Sequence, residues 1–302
     1  MDKQDKLMTT SDKSVVTKDD VNTGLKVFNL FNETQLAQAE VFLKRIMSTE
    51  KGGIKSVNEG LAVLMRANDL QLPFSSCLEH IHVISGKTGV DIHIIKALLS
   101  RAGVTWDCIK DYAPQYQYTD GNNIYNDSDL PDYCVRCRSA EEAESKTTED
   151  VIGVYPVRWY VDLKGNKYNE FQLSDKCVKA INKAHALKLA QESKFPVIRI
   201  TAQPIDYVTE YKFTRYRMIN GKERITEATS HFSYTDAVKA GLIDKETYVK
   251  YTRTLVGHRA FTLGARDIAD DVIMGVMETT ELKIVTGTNI EPSDFEYAEE
   301  VN

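Results

Sequence analysis

The chain has 302 residues, a net charge of −6 and 42% hydrophobic against 27% charged residues, an ordinary composition for a globular protein with a sizeable core. No stretch approaches the roughly 20 apolar residues that cross a bilayer, and the polar residues 1–20 lack the apolar segment of a signal peptide. Five scattered cysteines argue against a secreted disulfide framework, so we expect a cytoplasmic protein.

Charge is unevenly distributed along the chain. Residues 195–267 contain 12 Lys or Arg against 8 Asp or Glu. Residues 116–150 contain 3 basic and 9 acidic side chains, and residues 286–302 contain 5 acidic and no basic ones. One basic region bordered by acidic segments is a layout that steers an anion to one surface.

The N-terminal third of the chain predicts a helical lobe. Residues 1–24 are polar and are expected to form a disordered arm. Apolar residues recur at helical spacing over Leu25–Met47 and Val57–Asn68, and Leu78–Ile84 fits either a short strand or a helix end. Asp91 is placed to cap a further helix that Gly103 ends. We therefore assign residues 25–110 to this lobe.

The middle of the chain, residues 111–207, predicts loops followed by a hairpin and a helix. Residues 111–150 are rich in Asp, Asn, Tyr and Ser, which favours loops around one short strand at Tyr133–Arg138. Tyr155–Leu173 predicts a hairpin that turns at Gly165-Asn166, and Asp175–Glu192 predicts a helix. No internal repeat is apparent.

Residues 208–285 predict a long hairpin followed by a long helix. Strands are expected over Val197–Gln203 and Tyr207–Ile219, and Asn220-Gly221 is a strong two-residue hairpin turn before the returning strand Arg224–Phe232. Helices are predicted at Tyr234–Ala240 and Lys245–Val276, where small residues would let the helix cross a sheet closely, and the acidic tail 286–302 follows. The fold class is α+β: an N-terminal helical lobe and antiparallel β-hairpins crossed by a long C-terminal helix.

Two short motifs suggest bound groups, but neither is complete. Residues 86–88 (Gly-Lys-Thr) follow an apolar run, yet a phosphate-binding loop requires another glycine five residues before Gly86, where Ile81 stands. Cys134 and Cys137 have the gap of a zinc knuckle, yet no second pair supplies the other two of four ligands. We predict an ordinary turn and strand cysteines, with no cofactor and no metal.

Asp267, Asp270 and Asp271 are the candidate carboxylates for a metal-dependent nuclease. Their spacing places them near one face of a helix, whereas nucleases usually gather carboxylates from separate elements. Acidic side chains on a helix are more often solvated. Without a nucleophile motif or a nucleotide-binding motif elsewhere, the sequence does not predict an enzyme.

The predicted hairpin carries a group of arginines. With Asn220-Gly221 as the turn, Arg217 faces Arg224, and like charges directly opposed destabilise a hairpin unless an anion neutralises them. Arg215, Tyr211 and Phe213 extend the same face, with the two rings as stacking surfaces for bases. The alternative is a twisted hairpin tip whose arginines point into water.

The long helix adds further basic groups. Arg259 and Arg266 are seven residues apart, so they project from one face about 10 Å apart at a rise of about 1.5 Å per residue. Lys250, Tyr251 and Arg253 lie near its start. One interpretation is that these side chains contact phosphates. The other is that Arg266 pairs with an acid such as Asp270, four positions later in the helix.

Three segments resemble RecT-like single-strand annealing proteins of phages (the RecT/Redβ-type recombinase superfamily). Ser56–Gly103 is similar to the family's N-terminal lobe, with a short apolar run ending in Gly-Lys and a helix closing on Arg-x-Gly. Tyr211–Leu242 is similar to its basic hairpin and the following Asp-Ala-x-x-Ala-Gly-Leu helix. Tyr248–Leu282 resembles its signature helix, with paired Arg-Ala and Arg-Asp elements. Relative to this family, residues 111–207 look like an insertion.

The resemblance implies ATP-independent binding of single-stranded DNA and annealing of complementary strands, in phage recombination and repair in the host cytoplasm. It implies a homo-oligomeric ring or filament that holds the annealed duplex intermediate, and as partners a phage exonuclease and the host single-stranded DNA-binding protein. A phage structural or interaction protein with this fold and a metal-dependent nuclease remain as alternatives. The residues expected to contact DNA, from the resemblance and the residue patterns together, are Lys87, Arg101, Tyr211, Phe213, Arg215, Arg217, Lys222, Arg224, Lys250, Tyr251, Arg253, Arg259 and Arg266.

Overall fold

A computed structural model describes residues 32–47 and 54–291. The predicted disordered arm, the beginning of the first predicted helix and residues 292–302 of the acidic tail lie outside the described residues. The fold is mixed α+β, as predicted, and its described residues divide into two compact units. One comprises the described residues up to Arg101 together with Asp271–Asn289, and the other comprises Ala102–Asp270 together with Ile290 and Glu291. No helix in the described ranges is long and apolar enough to cross a membrane.

The first unit combines helices with a small sheet. Its helices are α1 (Glu33–Met47), α2 (Val57–Asp69), α3 (Phe74–His80), α4 (Ile92–Arg101) and α10 (Thr279–Thr286), and its strands are β1 (Ile81–Ile84), β2 (Lys87–Val90) and β14 (Met277–Glu278). The strand order is β1-β2-β14, with β1 antiparallel and β14 parallel to β2. The ambiguous segment Leu78–Ile84 thus contains both a helix end and a strand.

Local signals set the helix boundaries of this unit. Asp91 Oδ1 accepts hydrogen bonds from the backbone N–H groups of His93 (2.9 Å) and Ile94 (3.1 Å), which is the predicted cap of α4. Gly60 lets α1 approach α2, because a Cβ there would lie 2.6 Å from Leu43 Cδ2. The unit's core is formed by buried aliphatic side chains of these helices and strands.

The second unit is built on the three-stranded antiparallel sheet β13-β12-β3. Its strands are β3 (Val104–Gln115), β12 (Asp206–Ile219) and β13 (Lys222–Ser233), followed by α7 (Tyr234–Lys239), α8 (Glu246–Lys250) and α9 (Thr252–Ile273). The predicted long helix is therefore interrupted near its start, and α9 also departs from helical geometry at Ala269.

Helix α9 packs directly on this sheet, as the small-residue pattern predicts. A Cβ on Gly264 would lie 2.2 Å from the Phe213 ring and 2.4 Å from Ser230 Oγ, and Ser230 Oγ donates a 2.7 Å hydrogen bond to the Ala260 carbonyl. Gly257 has no such neighbour within 4 Å. The close approach thus depends on Ala260 and Gly264.

The segment between β3 and β12 is far more ordered than the sequence predicts. It contains β4 (Gln117–Thr119), β5 (Ile124–Asn126), a 3-10 turn (Asp127–Asp129), β6 (Cys134–Arg136), α5 (Ala140–Lys146), β7 (Ile152–Pro156), β8 (Trp159–Asp162), β9 (Lys167–Asn169), β10 (Cys177–Ala180), α6 (Lys183–Gln191) and β11 (Phe195–Ile200). The prediction of loops over residues 111–150 is wrong. The predicted helix at Asp175–Glu192 is correct only in its second half, because Asn182 caps α6 and strand β10 precedes it.

These elements form two sheets with the same topology. The sheet orders are β5-β4-β7-β6 and β9-β8-β11-β10. Each sheet begins with a hairpin (β4–β5 or β8–β9), which is followed by a strand (β6 or β10), a helix (α5 or α6) and a last strand (β7 or β11). The last strand pairs parallel with the strand before the helix and antiparallel with the first strand of the hairpin. We name residues 117–157 the first repeat and residues 159–200 the second repeat.

The hairpin loop of the first repeat is held by one carboxylate. Asp120 Oδ1 accepts from the backbone N–H groups of Asn122 (2.7 Å) and Asn123 (2.6 Å). Its Oδ2 accepts from Asn123 Nδ2 and from the Tyr125 hydroxyl, both at 2.9 Å. Burial raises the pKa of Asp120, but the hydrogen bonds from Asn123, Asn122 and Tyr125 outweigh burial and lower the pKa to about 2.

The second repeat reproduces this arrangement. Asp162 Oδ1 accepts from the backbone N–H groups of Lys164 (2.8 Å) and Asn166 (2.9 Å), and Oδ2 accepts from Asn166 Nδ2 (2.9 Å) and the Tyr168 hydroxyl (3.2 Å). Here too burial opposes the hydrogen bonds, led by those from Asn166, and the net effect lowers the pKa of Asp162. The loop of the second repeat is one residue longer.

Further positions have the same role in both repeats. Arg136 lies over the Tyr118 ring (5.6 Å) in the first repeat, and Lys179 lies over the Tyr160 ring (5.3 Å) in the second. Other equivalent pairs are the helix caps Ser139 and Asn182, the buried helix residues Ala143 and Ala186, and the buried strand residues Val154 and Val197. The expectation that the chain has no internal repeat is therefore wrong.

Candidate nucleic-acid interface

The hairpin β12–β13 has the predicted turn and register. Asn220 and Gly221 both have positive φ (52° and 74°), as a tight hairpin turn requires. Arg217 pairs with Arg224 across the strands. Strand β3 pairs with β12 only as far as Arg215, so residues 217–224 form a two-stranded arm. We call this arm, together with Tyr216 and Ile225, the hairpin tip.

The part of the predicted arginine face that lies below the tip is buried rather than exposed. Phe213 is 0% and Arg215 4% exposed. The rings of Tyr211 and Phe213 each lie 5.3 Å from the Phe261 ring of α9, and Arg215 Nη1 donates to the Ile268 carbonyl at 3.1 Å. These contacts correct the sequence interpretation: Phe213 and Arg215 are core groups that join the sheet to α9, and Tyr211 is half-buried beside them.

The hairpin tip carries two different faces. Arg217 is half-buried and Arg224 is exposed on one face, and Lys222 is exposed beside the turn. The opposite face presents Tyr216, which is 47% exposed and pairs with Ile225 across the strands. The sequence interpretation missed Tyr216, although strand alternation places it on the face opposite to Phe213 and Arg215.

The basic residues of α9 are mostly engaged within the protein. Arg253 forms an ion pair with Asp111 of β3, with Nε 3.3 Å from Oδ1, and both side chains are exposed. Arg259 and Arg266 are half-buried and have further contacts within the protein. Burial raises the pKa of Tyr248, and the nearby charge of Arg259 partly offsets that increase. Residues 111 and 253 are 142 positions apart, so the sequence could not reveal this pair.

Lys250 and Tyr251 lie side by side at the junction of α8 and α9. The Lys250 ammonium is exposed and lies 5.2 Å from the centre of the Tyr251 ring. A cation resting on an aromatic ring is a surface on which a phosphate and a base can both be contacted. This pair therefore stays a candidate contact.

The two candidates in the first unit differ in role. Arg101 donates to the carbonyls of Leu70 (2.7 Å) and Gln71 (2.9 Å), so it binds backbone groups at the end of α2. Lys87 is exposed at the start of β2. Gly86 forms the turn of the β1–β2 hairpin with φ of 76°, which differs from the strand–loop–helix context of a phosphate-binding loop.

The candidate metal ligands do not come together. No group of three or more His, Cys, Asp or Glu side chains that could hold a metal ion occurs within residues 32–47 and 54–291. Asp267 and Asp270 are exposed on α9. Cys137 is buried, and burial together with the nearby Asp120 carboxylate raises the pKa of the Cys134 thiol.

Comparisons with known proteins provide no family assignment. No protein-family model, no curated protein and no solved structure matches the chain.

Proposed function

We propose that this protein binds single-stranded DNA without ATP and anneals complementary strands, with the hairpin tip as the main contact. The observation that carries the proposal is the direct cross-strand pairing of Arg217 with Arg224, with an exposed aromatic ring, Tyr216, on the opposite face. Opposed like charges destabilise a hairpin. Arg217 also has a contact within the protein, and a phosphate bound beside the exposed Arg224 would reduce the remaining repulsion.

Binding at such a tip uses charge and stacking together. Arg217, Lys222 and Arg224 neutralise backbone phosphates and release counterions, while Tyr216 stacks on a base. Neither interaction reads base edges, so binding is nearly independent of sequence. Because the protein holds the backbone, base edges remain free to pair with a second strand, and pairing itself supplies the free energy of annealing.

The wider setting follows the family resemblance and belongs to the same proposal. An oligomer, as a ring or filament, aligns many tips along one strand. A phage exonuclease that produces single strands and the host single-stranded DNA-binding protein that covers them are the expected partners, in the host cytoplasm.

One observation favours a second candidate function. Met218 is 69% and Ile225 56% exposed, so the face that carries Tyr216 is also apolar. Exposed apolar patches commonly mark protein contacts. A phage interaction protein that uses this tip to bind a protein partner is the alternative.

A salt titration distinguishes the two functions. Fluorescence anisotropy of a labelled single-stranded oligonucleotide is measured for the wild type and for Arg217→Ala/Arg224→Ala. Loss of two phosphate contacts should reduce the slope of log affinity against log salt by about 1.4, at about 0.7 per contact on single strands. Lys183→Ala/Lys188→Ala, which removes two exposed charges from α6, is the control and should retain the wild-type slope. An unchanged slope in the folded arginine variant would reject the hairpin tip as the DNA contact.

A further inference from the structure

A cavity of about 520 Å³ lies where the two repeats meet. Its walls come from three places: the end of β6 with the start of α5, the end of β7 with the linker that follows, and the end of β11 with the residues after it. In the first repeat β6 and β7 are parallel, so their carboxyl ends meet at this edge. We call this space the seam cavity.

The lining of the seam cavity is cationic. Arg138, Arg158 and Arg199 all contribute to it, together with the hydroxyls of Ser139 and Thr201. Among the described residues that line the cavity none is acidic. Arg138 and Arg199 are exposed, so three arginines, two of them open to solvent, contribute to the lining of one space.

Arg158 is held in position by a neighbouring acid. Its backbone N–H donates to Glu170 Oε1 at 3.2 Å, and its Nε lies 3.9 Å from Glu170 Oε2. Glu170 balances part of one positive charge from outside the lining. Glu141 also lies near Arg158, and Glu142 lies near Arg138, so acids outside the lining balance part of two of the three charges.

The arginines occupy positions where the two repeats differ. When the paired strands of the two repeats are matched residue by residue, Ile181 of the second repeat corresponds to Arg138 of the first. In the same way, Pro156 of the first repeat corresponds to Arg199 of the second. Arg158 lies in the linker between the repeats. The scaffold residues are shared by both repeats, whereas the arginines are not, so the fold itself does not require them.

The neighbouring acids offset only part of the repulsion among the three arginines, and an anion bound between them would offset more of it. Guanidinium groups form bidentate hydrogen bonds with phosphate, and several around one cavity match its oxygens from different directions. The Thr201 hydroxyl complements such a site as a neutral donor, whereas Ser139 Oγ caps α5 and hydrogen-bonds with Glu141.

We propose that the seam cavity is a phosphate-binding site, separate from the hairpin tip. Because Arg138 and Arg199 are exposed and the cavity is open, the phosphate source that fits best is the backbone of a nucleic-acid strand; a free phosphate or pyrophosphate is the other source. The site does not depend on annealing, since phosphate binding here is measurable in a protein that anneals nothing.

The test compares two double variants of the full chain. Arg138→Gln/Arg199→Gln removes two cavity charges and leaves Arg158 with Glu170. Lys164→Gln/Lys188→Gln removes two exposed charges from the second repeat outside the cavity. Binding of pyrophosphate is measured by titration calorimetry, and binding of a labelled oligothymidine by anisotropy. Circular dichroism confirms that each variant is folded.

We expect the arginine variant to bind both probes at least tenfold more weakly, and the lysine variant to match the wild type. Weaker binding of pyrophosphate with unchanged oligothymidine binding would assign the site to a free phosphate and overturn the nucleic-acid source. Equal losses in both variants, or no loss in the arginine variant, would overturn the phosphate site itself. Failure of the hairpin-tip variants to affect DNA binding contradicts the proposed function instead, because those residues lie outside the cavity.

Discussion

Asp120 and Asp162 show how single carboxylates hold polar hairpins in place. Each accepts two backbone N–H groups, one side-chain amide and one tyrosine hydroxyl. Hydrogen bonds to a charged acceptor stabilise a fold more than neutral ones, by about 1.5–3 kcal/mol each. These loops contain few apolar residues, so the carboxylates replace hydrophobic packing as the source of local order.

Replacing one of these carboxylates should destabilise the protein. Asp120→Asn places an amide donor against groups that themselves donate, and we expect the free energy of unfolding to fall by about 2 kcal/mol; Asp162→Asn should act in the same direction. Urea denaturation measures the loss. Asp132→Asn and Asp175→Asn, which change exposed acids at equivalent positions of the repeats, are the controls and should have almost no effect.

The lowered pKa of Asp120 makes the stability of the protein depend on pH. Because the pKa of Asp120 is lowered to about 2 in the folded protein and is about 3.9 in an unfolded chain, its contribution to stability is complete above about pH 4. The contribution is lost as the pH falls towards about 2, where the folded protein also takes up the proton. Unfolding free energies from pH 5 to pH 2 should therefore converge for the wild type and Asp120→Asn. A difference that stays constant to pH 2 would contradict this assignment.

At the scale of elements, the contact of α9 with the central sheet depends on one glycine. Gly264→Ala places a methyl group against Phe213 and Ser230, and overpacking of this kind costs about 1–3 kcal/mol. Gly257→Ala, in the same helix, meets nothing within 4 Å and should stabilise the helix by about 0.5–1 kcal/mol. Thermal unfolding should show a lower melting temperature for Gly264→Ala and a higher one for Gly257→Ala than for the wild type. Equal effects would show that the helix does not pack as described.

At the hairpin tip, a change that stabilises the folded protein should weaken its binding to single-stranded DNA. Arg224→Glu turns a repulsive cross-strand pair with Arg217 into an attractive one, which should raise the free energy of unfolding by about 0.2–1 kcal/mol. The same change removes a phosphate contact and should weaken binding of single-stranded DNA severalfold. Denaturation and anisotropy are measured on one preparation, with Lys188→Glu as the charge-matched control. Weaker binding without a gain in stability would contradict direct opposition of the arginines.

Elements with local signals were predictable from the sequence, and contacts between distant segments were not. Asp91 caps α4 and Asn220-Gly221 turns the long hairpin because each acts on neighbouring backbone groups. The burial of Arg215 under α9 and the pairing of Arg253 with Asp111 join segments far apart in the chain. The alternation of side chains along β12 correctly placed the arginines on one face of the strand. It could not show that α9 covers part of that face.

The two repeats escaped sequence analysis for a different reason. Their hairpins are specified by Asp, Asn and Tyr side chains that also occur in loops, and their strands have only three to five residues in most cases. Such strands contain too few residues for a periodic pattern. The shared positions, such as Asp120 with Asp162 and Cys134 with Cys177, are recognisable once the strand pairing is known.

At the scale of the whole molecule, the proposed anion contacts lie on two separate scaffolds, the long hairpin and the pair of repeats. The hairpin tip presents Arg217, Lys222 and Arg224, and the seam cavity presents three more arginines between the repeats. Acidic residues of the first repeat keep the net charge of the chain negative, which limits nonspecific attraction to nucleic acid. Binding is therefore expected to depend strongly on salt, even though the protein as a whole is an anion.

The central claim is annealing without ATP, and its direct test is the pairing rate of two complementary labelled oligonucleotides. We expect the wild type to accelerate pairing without ATP or Mg²⁺ at low salt, with the acceleration falling as salt increases. Arg217→Ala/Arg224→Ala should lose most of the acceleration and Lys183→Ala/Lys188→Ala should retain it. Pairing that the folded wild type does not accelerate at any salt concentration would contradict the claim, and cleavage of the strands with Mg²⁺ would favour the carboxylates of α9 as a nuclease site.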